Sequence, residues 1–408
     1  MTGEIIFLCH RIPFPPDRGD KIRSYHLLHR LAEAAPVHVG CFADDDRDLG
    51  FADDLARVAA SQCVLRRDRS KVMAGLRGVA ARQSLLIALF DHPGLHQWVR
   101  RTLAEKPIAA VFAYSAQMAH FVPVLPRDVR FMMDFVDFDS AKYRAYGEQG
   151  RGPMAWVNRR EGRMLFDFER AVARRAAVSS FVSEAEASLF RQATGLDSRR
   201  VVAIENGVAL DYFDPAAPFD AVSCGDGPLL VFTGQMDYRP NVEAVESFVR
   251  DVLPRIRAAR PEVRFAIVGR NPSKSVQALG EQPGVIVTGG VPDVRGWLAA
   301  ADVVVAPLRI ARGIQNKVLE AMAMARPVVA SPQAAEGIDA TDGTHFIVAA
   351  DARSEADGII ALLNEPDRAH MLGKAARARM ERRYRWSATL SDLPDMLLGR
   401  APVGACGA

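Results

Sequence analysis

Twice along this chain, short runs rich in β-branched and aromatic residues alternate with amphipathic stretches of helical period, and the alternation restarts once. Such a pattern leaves few choices: parallel sheet with helices on both faces, built two times over. The first series predicts strands at Glu4–His10, Val37–Ala43, Val111–Tyr114, Val129–Phe135 and Val178–Val182, with helices including Asp20–Ala35 and Met154–Ala176. A Pro/Gly-rich stretch, Asp214–Pro228, reads as a linker. The second series predicts strands at Leu229–Thr233, Val263–Val268, Val285–Thr288, Val303–Ala306 and Pro327–Ala330. Helices over Asn241–Ala259, Asp293–Ala300 and Gln315–Ala325 separate them. The predicted fold is α/β, two Rossmann-like doubly wound domains facing across a cleft. Its expected parts are an N-terminal domain 1–210, a linker 211–227, a C-terminal domain 228–385, and a last helix and tail 386–408 that can cross back. Ligands in such sheets sit beyond the carboxyl ends of the strands.

Composition and missing motifs then remove whole classes of function. A net charge of +3 is too balanced for a dedicated nucleic-acid binder. The five cysteines (Cys9, Cys41, Cys63, Cys224, Cys406) are scattered and form no CxxC, which fits a reducing cytosol rather than a disulfide or zinc framework. The start of the chain lacks the basic region of a signal peptide, and no apolar stretch approaches the roughly 18 residues of a spanning helix. GxxxxGK[ST], GxGxxG after either first strand, HExxH and GxSxG are all absent. The expectation is a cytoplasmic enzyme that can be peripheral on the inner face of the cytoplasmic membrane. Between Arg57 and Arg82 lie seven bases against one acid, Asp68. That segment reads either as a solvated surface or as a contact for anionic headgroups.

One segment carries most of the chemistry. Val303–Ala306 ends in a loop containing Arg312 and Gly313, followed by Ile314, Gln315, Asn316, Lys317 and, three residues on, Glu320. A glycine there lets backbone approach a ligand, the helix start offers N–H groups to a phosphate, and Lys317 adds a point charge. Glu320, on the same helix face, can accept two ribose hydroxyls. A capped helix with solvated Lys and Glu explains the same residues equally well.

The run strongly resembles the nucleotide-binding signature of glycosyltransferase family 4, whose members have the two-domain GT-B fold. Thr233-Gly234-Gln235-Met236 is similar to that family's glycine loop, Asn206-Gly207-Val208 with Phe213 and Pro215 to its interdomain element, and Phe181-Val182-Ser183-Glu184 to a strand end. More narrowly, Ala311–Lys317 and the opening His10–Lys21 resemble sugar transferases found with exosortase (PEP-CTERM) exopolysaccharide systems. The resemblance implies a retaining, metal-independent transfer from a UDP- or GDP-sugar to a lipid-linked saccharide, with no obligatory cofactor. It places Lys317, Arg312 and the Gly313/Ile314 backbone on the diphosphate and Glu320 on the ribose. Gly234, Arg239, Arg270 and Asn316 complete the donor set.

On the acceptor side the implied residues are Arg18, Gly19, Lys21 and Asp139, with Asp137 and His120 as further catalytic candidates. Two departures matter. Arg312 stands where the family's first glutamate would sit near the donor sugar, and Gln235 and Asn241 replace a basic pair, Arg239 being the nearest base. The cluster Asp134, Asp137, Asp139 and Lys142 can serve an acceptor, cap a helix, or hold a metal as a DxD pair. A sugar-nucleotide epimerase and a non-catalytic nucleotide-sugar-binding subunit remain open alternatives.

Overall fold

A computed structural model describes residues 3–67, 83–222, 225–311 and 314–400. Residues up to Glu205, together with those from Leu390 onward, form one compact unit, and Asn206–Thr389 form a second. Asn206–Leu210 therefore sit with the second unit, as does the stretch expected to be a linker.

The first unit is built on a seven-stranded sheet in the order β3-β2-β1-β4-β5-β6-β7. Its strands are β1 (Glu4–Cys9), β2 (Val37–Ala43), β3 (Ser61–Arg66), β4 (Ile108–Tyr114), β5 (Arg130–Val136), β6 (Val178–Phe181) and β7 (Val201–Ala203). The second unit has six: β8 (Leu229–Thr233), β9 (Arg264–Val268), β10 (Val285–Gly289), β11 (Val303–Ala306), β12 (Val328–Ala330) and β13 (Ile347–Val348), ordered β10-β9-β8-β11-β12-β13. Every strand pair is parallel. In both sheets the order reverses beside the first strand of the unit, and that switch point is where a doubly wound sheet opens a ligand crevice. Central strands are buried on both faces, so Ile5-Ile6-Phe7-Leu8 and Leu230-Val231-Phe232 read as continuous apolar runs.

Three strands escaped the sequence. β3 is a half-exposed edge with the mixed run SQCVLR, while β7 and β13 have only three and two residues. An edge that packs on one side carries too little apolar pattern to be read. The helix expected over Asn241–Ala259 is interrupted: Arg239–Ser247 passes through a wide i→i+5 turn at Phe248–Val252 into Leu253–Ala259. Pro254 has no N–H to give the i→i−4 ladder, and the widened turn absorbs the defect.

The last helix also divides. Trp386–Thr389 stays with the second unit, where Gly207 lets the Trp386 ring approach: a Cβ at Gly207 would stand 2.7 Å from it. Leu393–Leu398 belongs to the first, held by Arg30 Nε to the Leu390 carbonyl (3.1 Å) and Arg130 Nε to the Leu397 carbonyl (3.1 Å). Among the described residues no helix is long and apolar enough to cross a membrane.

Candidate functional site

In the second unit three segments converge at the carboxyl ends of β8, β9 and β11. After β8 the chain turns at Gly234, after β9 at Gly269, and after β11 it runs to the Asn316–Ala323 helix. Gly234 and Gly269 touch backbone to backbone, and a Cβ on Gly269 would lie 1.6 Å from the Gly234 carbonyl oxygen. No other residue type fits. The Gly234 N–H donates to the Val268 carbonyl (3.0 Å), and the Met236 N–H to that of Arg270 (2.8 Å), so the two turns form one surface.

Lys317 projects from the first turn of its helix onto this surface. Its Nζ donates to Asn241 Oδ1 at 2.6 Å and lies 4.6 Å from the centroid of the Phe232 ring. Asn241 Nδ2 in turn donates to the Gln235 carbonyl (2.9 Å), tying the lysine to the glycine turn. A Cβ at Gly234 would meet Asn241 Nδ2 at 2.7 Å and Lys317 Nζ at 3.4 Å. Lys317 and Glu320 are both half-buried. Burial lowers the Lys317 ammonium to about 7 against the pull of Glu320, and raises the Glu320 carboxyl to about 7 against that of Lys317. Both groups are thus poised at neutral pH, a pattern that marks sites awaiting a ligand more often than surface pairs.

At the start of this helix the Gln315 side chain makes no capping bond to the first-turn N–H groups. Asn316 Oδ1 accepts from Asn206 Nδ2 (3.2 Å), which fixes the entry of the helix. Ile314 is buried. Arg270 lays its stem over Gly290, where a Cβ would meet its Cγ at 2.7 Å. Arg239 stands apart: it is exposed and paired with Glu243 four residues on (2.6 Å). Arg312 and Gly313 lie outside the described residues.

The expected acceptor-side residues fall at the carboxyl ends of the first sheet. Gly19 opens the Gly19–Ala32 helix. Asp20, next to it, gathers Arg11 Nη1 (2.6 Å) and His10 Nε2 (3.2 Å) on one oxygen and Arg18 Nε (2.8 Å) on the other. Burial works to raise the Asp20 carboxyl, but the His10 bond and the Arg11 and Arg18 charges hold it far below the usual carboxylate range. Lys21 is buried, donating to Asp48 (2.5 Å) and to the Phe14 carbonyl (3.1 Å). It braces the loop and offers no open charge.

The aspartate cluster separates into two. Asp134 turns inward onto Arg23 Nε at 2.8 Å, the side chains being 0% and 1% exposed. Asp137 and Asp139 share Lys142 Nζ, at 2.5 and 3.3 Å. Burial pushes the Asp139 carboxyl up, with Lys142 opposing. Two non-glycine residues with positive φ, Ser115 (76°) and Val136 (71°), stand at the ends of adjacent strands β4 and β5. Backbone held in that region is strained for a side chain such as valine, and such strain concentrates at functional sites.

His120 is placed with Asp91 and His96, which sequence reasoning passed over because they lie 29 and 24 positions away. Both imidazole Nε2 atoms approach Asp91 Oδ1, at 3.0 Å from His96 and 3.3 Å from His120. The three ligand atoms lie within 4.8 Å of one another, close enough to hold a divalent ion. Burial lowers the His120 imidazole, Asp91 opposing.

Two family models complete the assignment. Residues 19–207 match "Glycosyl transferase 4-like domain" and residues 227–365 match "Glycosyl transferases group 1". Both units of the chain thus carry glycosyl transferase domains.

Its two units bring the GT-B fold, and a solved Anabaena structure, HepE in complex with UDP and glucose, superposes with a TM-score of 0.66 at 14% identity over 97% of this chain and 100% of that one. The phosphatidyl-myo-inositol mannosyltransferase of Mycobacterium leprae is 32% identical over 209 residues, 50% of this chain and 54% of the relative. The GDP-mannose-dependent alpha-(1-6)-phosphatidylinositol monomannoside mannosyltransferase of Mycolicibacterium smegmatis is 28% identical over 251 residues, 57% of this chain and 64% of the relative. The matches thus span between half and two thirds of these relatives' lengths.

Proposed function

We propose that this glycosyltransferase moves a sugar from a UDP- or GDP-sugar to a lipid-linked saccharide of an exopolysaccharide pathway, with retention at the anomeric carbon and no obligatory metal. The observation that carries the donor half is the Lys317–Asn241–Gly234 constellation: a cation fixed over a glycine turn too tight for any side chain, one helical turn from Glu320. In this reading Lys317 and the helix N–H groups face the diphosphate and Glu320 accepts the ribose hydroxyls. As the bond from the anomeric carbon to the diphosphate oxygen breaks, negative charge grows on that oxygen. A preplaced ammonium then stabilises the transition state more than the ground state. Arg270 and Arg312 are assigned supporting contacts to the same phosphates, and Arg18, Asp137 and Asp139 to the acceptor.

The lipid acceptor draws support from the names of the two mannosyltransferase relatives, and the exosortase-type setting from the opening motif. The sequence also points to a peripheral membrane contact through residues 57–82. Four bases of that segment (Arg69, Lys71, Arg77 and Arg82) lie outside the described residues. The other three each face an acid: Arg57 with Asp54, Arg66 with Asp46 and Arg67 with Asp44.

The test is calorimetry of the full chain against UDP, GDP, ADP, CMP and their common sugars, with and without EDTA, followed by product analysis with lipid-extracted acceptors. The expected result is one nucleotide diphosphate bound regardless of EDTA, lost in Glu320→Ala, and a glycolipid product retaining the anomeric configuration. Tight nucleotide binding without transfer would leave the non-catalytic binder standing, and an isomerised donor would leave the epimerase.

A further inference from the structure

The helices Asp139–Gln149 and Pro153–Arg175 pack as an antiparallel hairpin in the first unit. Glycines set the contact: a Cβ on Gly147 would meet Arg159 Cγ at 2.5 Å, and one on Gly162 the Arg144 backbone nitrogen at 3.0 Å. The inward face of the longer helix is closed, with Ala155, Gly162, Leu165 and Val172 buried. Its outward face and the tip are not. Met154 is 67% exposed, Trp156 58% and, across the turn, Tyr146 40%. Three large apolar side chains exposed around one turn are not what a solvated turn selects.

The exposed charges around the tip are basic but for one, Glu148. Arg144, Arg151, Arg159 and Arg163 are exposed, and none of them has an ion-pair partner among the described residues. Of the acids between 144 and 163, Glu161 is buried, accepting from Ser84 Oγ (2.5 Å) and from the Leu85 and Leu86 N–H groups (2.8 and 3.0 Å). Only Glu148 remains outside. Spacing aligns the set, since Trp156, Arg159 and Arg163 recur at i, i+3 and i+7 on one helix face. Tryptophan and methionine at a tip, ringed by arginines whose stems are apolar and whose heads seek phosphate, is the chemistry of a membrane interface.

We propose that this hairpin tip is the surface by which the enzyme rests on an anionic bilayer, Trp156 and Met154 entering the interfacial layer while the four arginines hold headgroup phosphates. The proposal rests on the lipid-linked acceptor reading and places the contact away from residues 57–82, whose described bases are already matched by acids. Each arginine near an anionic surface raises partitioning about fivefold.

Trp156 supplies its own reporter. Of the four tryptophans, Trp98 and Trp386 are buried and Trp297 is partly so. The full chain is floated with phosphatidylcholine vesicles, with and without phosphatidylglycerol, and its fluorescence is followed with brominated acyl chains. Flotation with the anionic vesicles alone, quenching that disappears in Trp156→Phe, and at least tenfold weaker flotation of Arg159→Glu/Arg163→Glu are expected. Arg66→Glu/Arg67→Glu should float as the wild type does. Equal flotation of Arg159→Glu/Arg163→Glu and wild type, flotation without quenching, or no flotation would overturn the surface. Transfer to a detergent-dispersed lipid acceptor is measured alongside: transfer without flotation removes the surface and keeps the activity, while flotation with quenching but no transfer keeps the surface and removes the acceptor reading.

Discussion

Asn241 receives the Lys317 ammonium at 2.6 Å with its oxygen and donates to the Gln235 carbonyl with its nitrogen. One amide thus aims the cation and closes the glycine turn. Lys317→Ala should lower kcat/KM by about 10²–10³-fold, the loss of one electrostatic donor to the departing group. Asn241→Ala leaves the charge but frees it, and should cost about tenfold, mainly in kcat. Steady-state kinetics with saturating acceptor check both.

Neutral pH sits at the titration of the same site. In the empty protein Lys317 loses its proton near pH 7, whereas a bound diphosphate favours the charged form and raises that value. Above about pH 7, binding must therefore take up a proton, and affinity should fall by up to about tenfold per unit of pH. Glu320 acts in the opposite sense. Its carboxyl, raised to about 7, must lose a proton to accept two hydroxyls, so affinity also declines on the acid side. Calorimetry in buffers of different ionisation enthalpy should show uptake on the alkaline limb, absent in Lys317→Met. The acid limb should flatten in Glu320→Gln.

Glu169 gives the fold a pH dependence of its own. It is buried, with Oε2 accepting from Ser140 Oγ (2.5 Å), and burial raises its carboxyl to about 8 despite that bond. The folded state therefore holds a proton that the unfolded chain releases above an ordinary value of 4.5. The stability this supplies is full below about 4.5 and is lost as pH rises through about 8. Glu169→Gln keeps one oxygen to accept from Ser140 and turns the other contact into a donor toward Ser140 Oγ, and it should reduce the fall in Tm between about pH 5 and about pH 9, read by thermal denaturation.

Arg23 and Asp134 form a buried pair 2.8 Å apart. Removing one member strands the other away from water, so Arg23→Met should destabilise the first unit by about 3–5 kcal/mol. The double variant Arg23→Met/Asp134→Leu should recover most of that loss. Urea denaturation of the single and double variants measures it.

Gly269→Ala forces a methyl onto the Gly234 carbonyl, a clash of backbone with backbone that no rotamer relieves. Loss of nucleotide binding, with the chain otherwise folded by circular dichroism, is the expected outcome. Retained binding would show that the two turns can separate.

The residues proposed for the donor side could be picked out in the sequence because they are local. Gly313, Lys317 and Glu320 follow one strand on one loop and helix, and Gly234 follows another, so spacing alone places them at strand ends. Arg239 looked like part of the same set by position, yet its helix points it outward to Glu243. Phe232, under the Lys317 ammonium, was indistinguishable from any other core residue of β8. Lys21 read as an acceptor contact because nothing in its neighbourhood announces Asp48, brought to it by the loop after β2.

Strand and helix periodicity determined the fold class and the doubling of the unit, because burial on both faces of a parallel sheet writes itself as uninterrupted apolar runs. Glycine and charge at strand ends marked the surface proposed to meet a phosphate. The tertiary structure alone decided which charges are spent and which are open. Lys21, Arg23 and the three described bases among residues 57–82 are matched by acids distant in the chain or one helical turn away, whereas the arginines of the hairpin tip are matched by none among the described residues. Coulomb energy depends on separations in space, and residues such as Arg23 and Asp134, 111 positions apart, acquire theirs only when the sheet assembles.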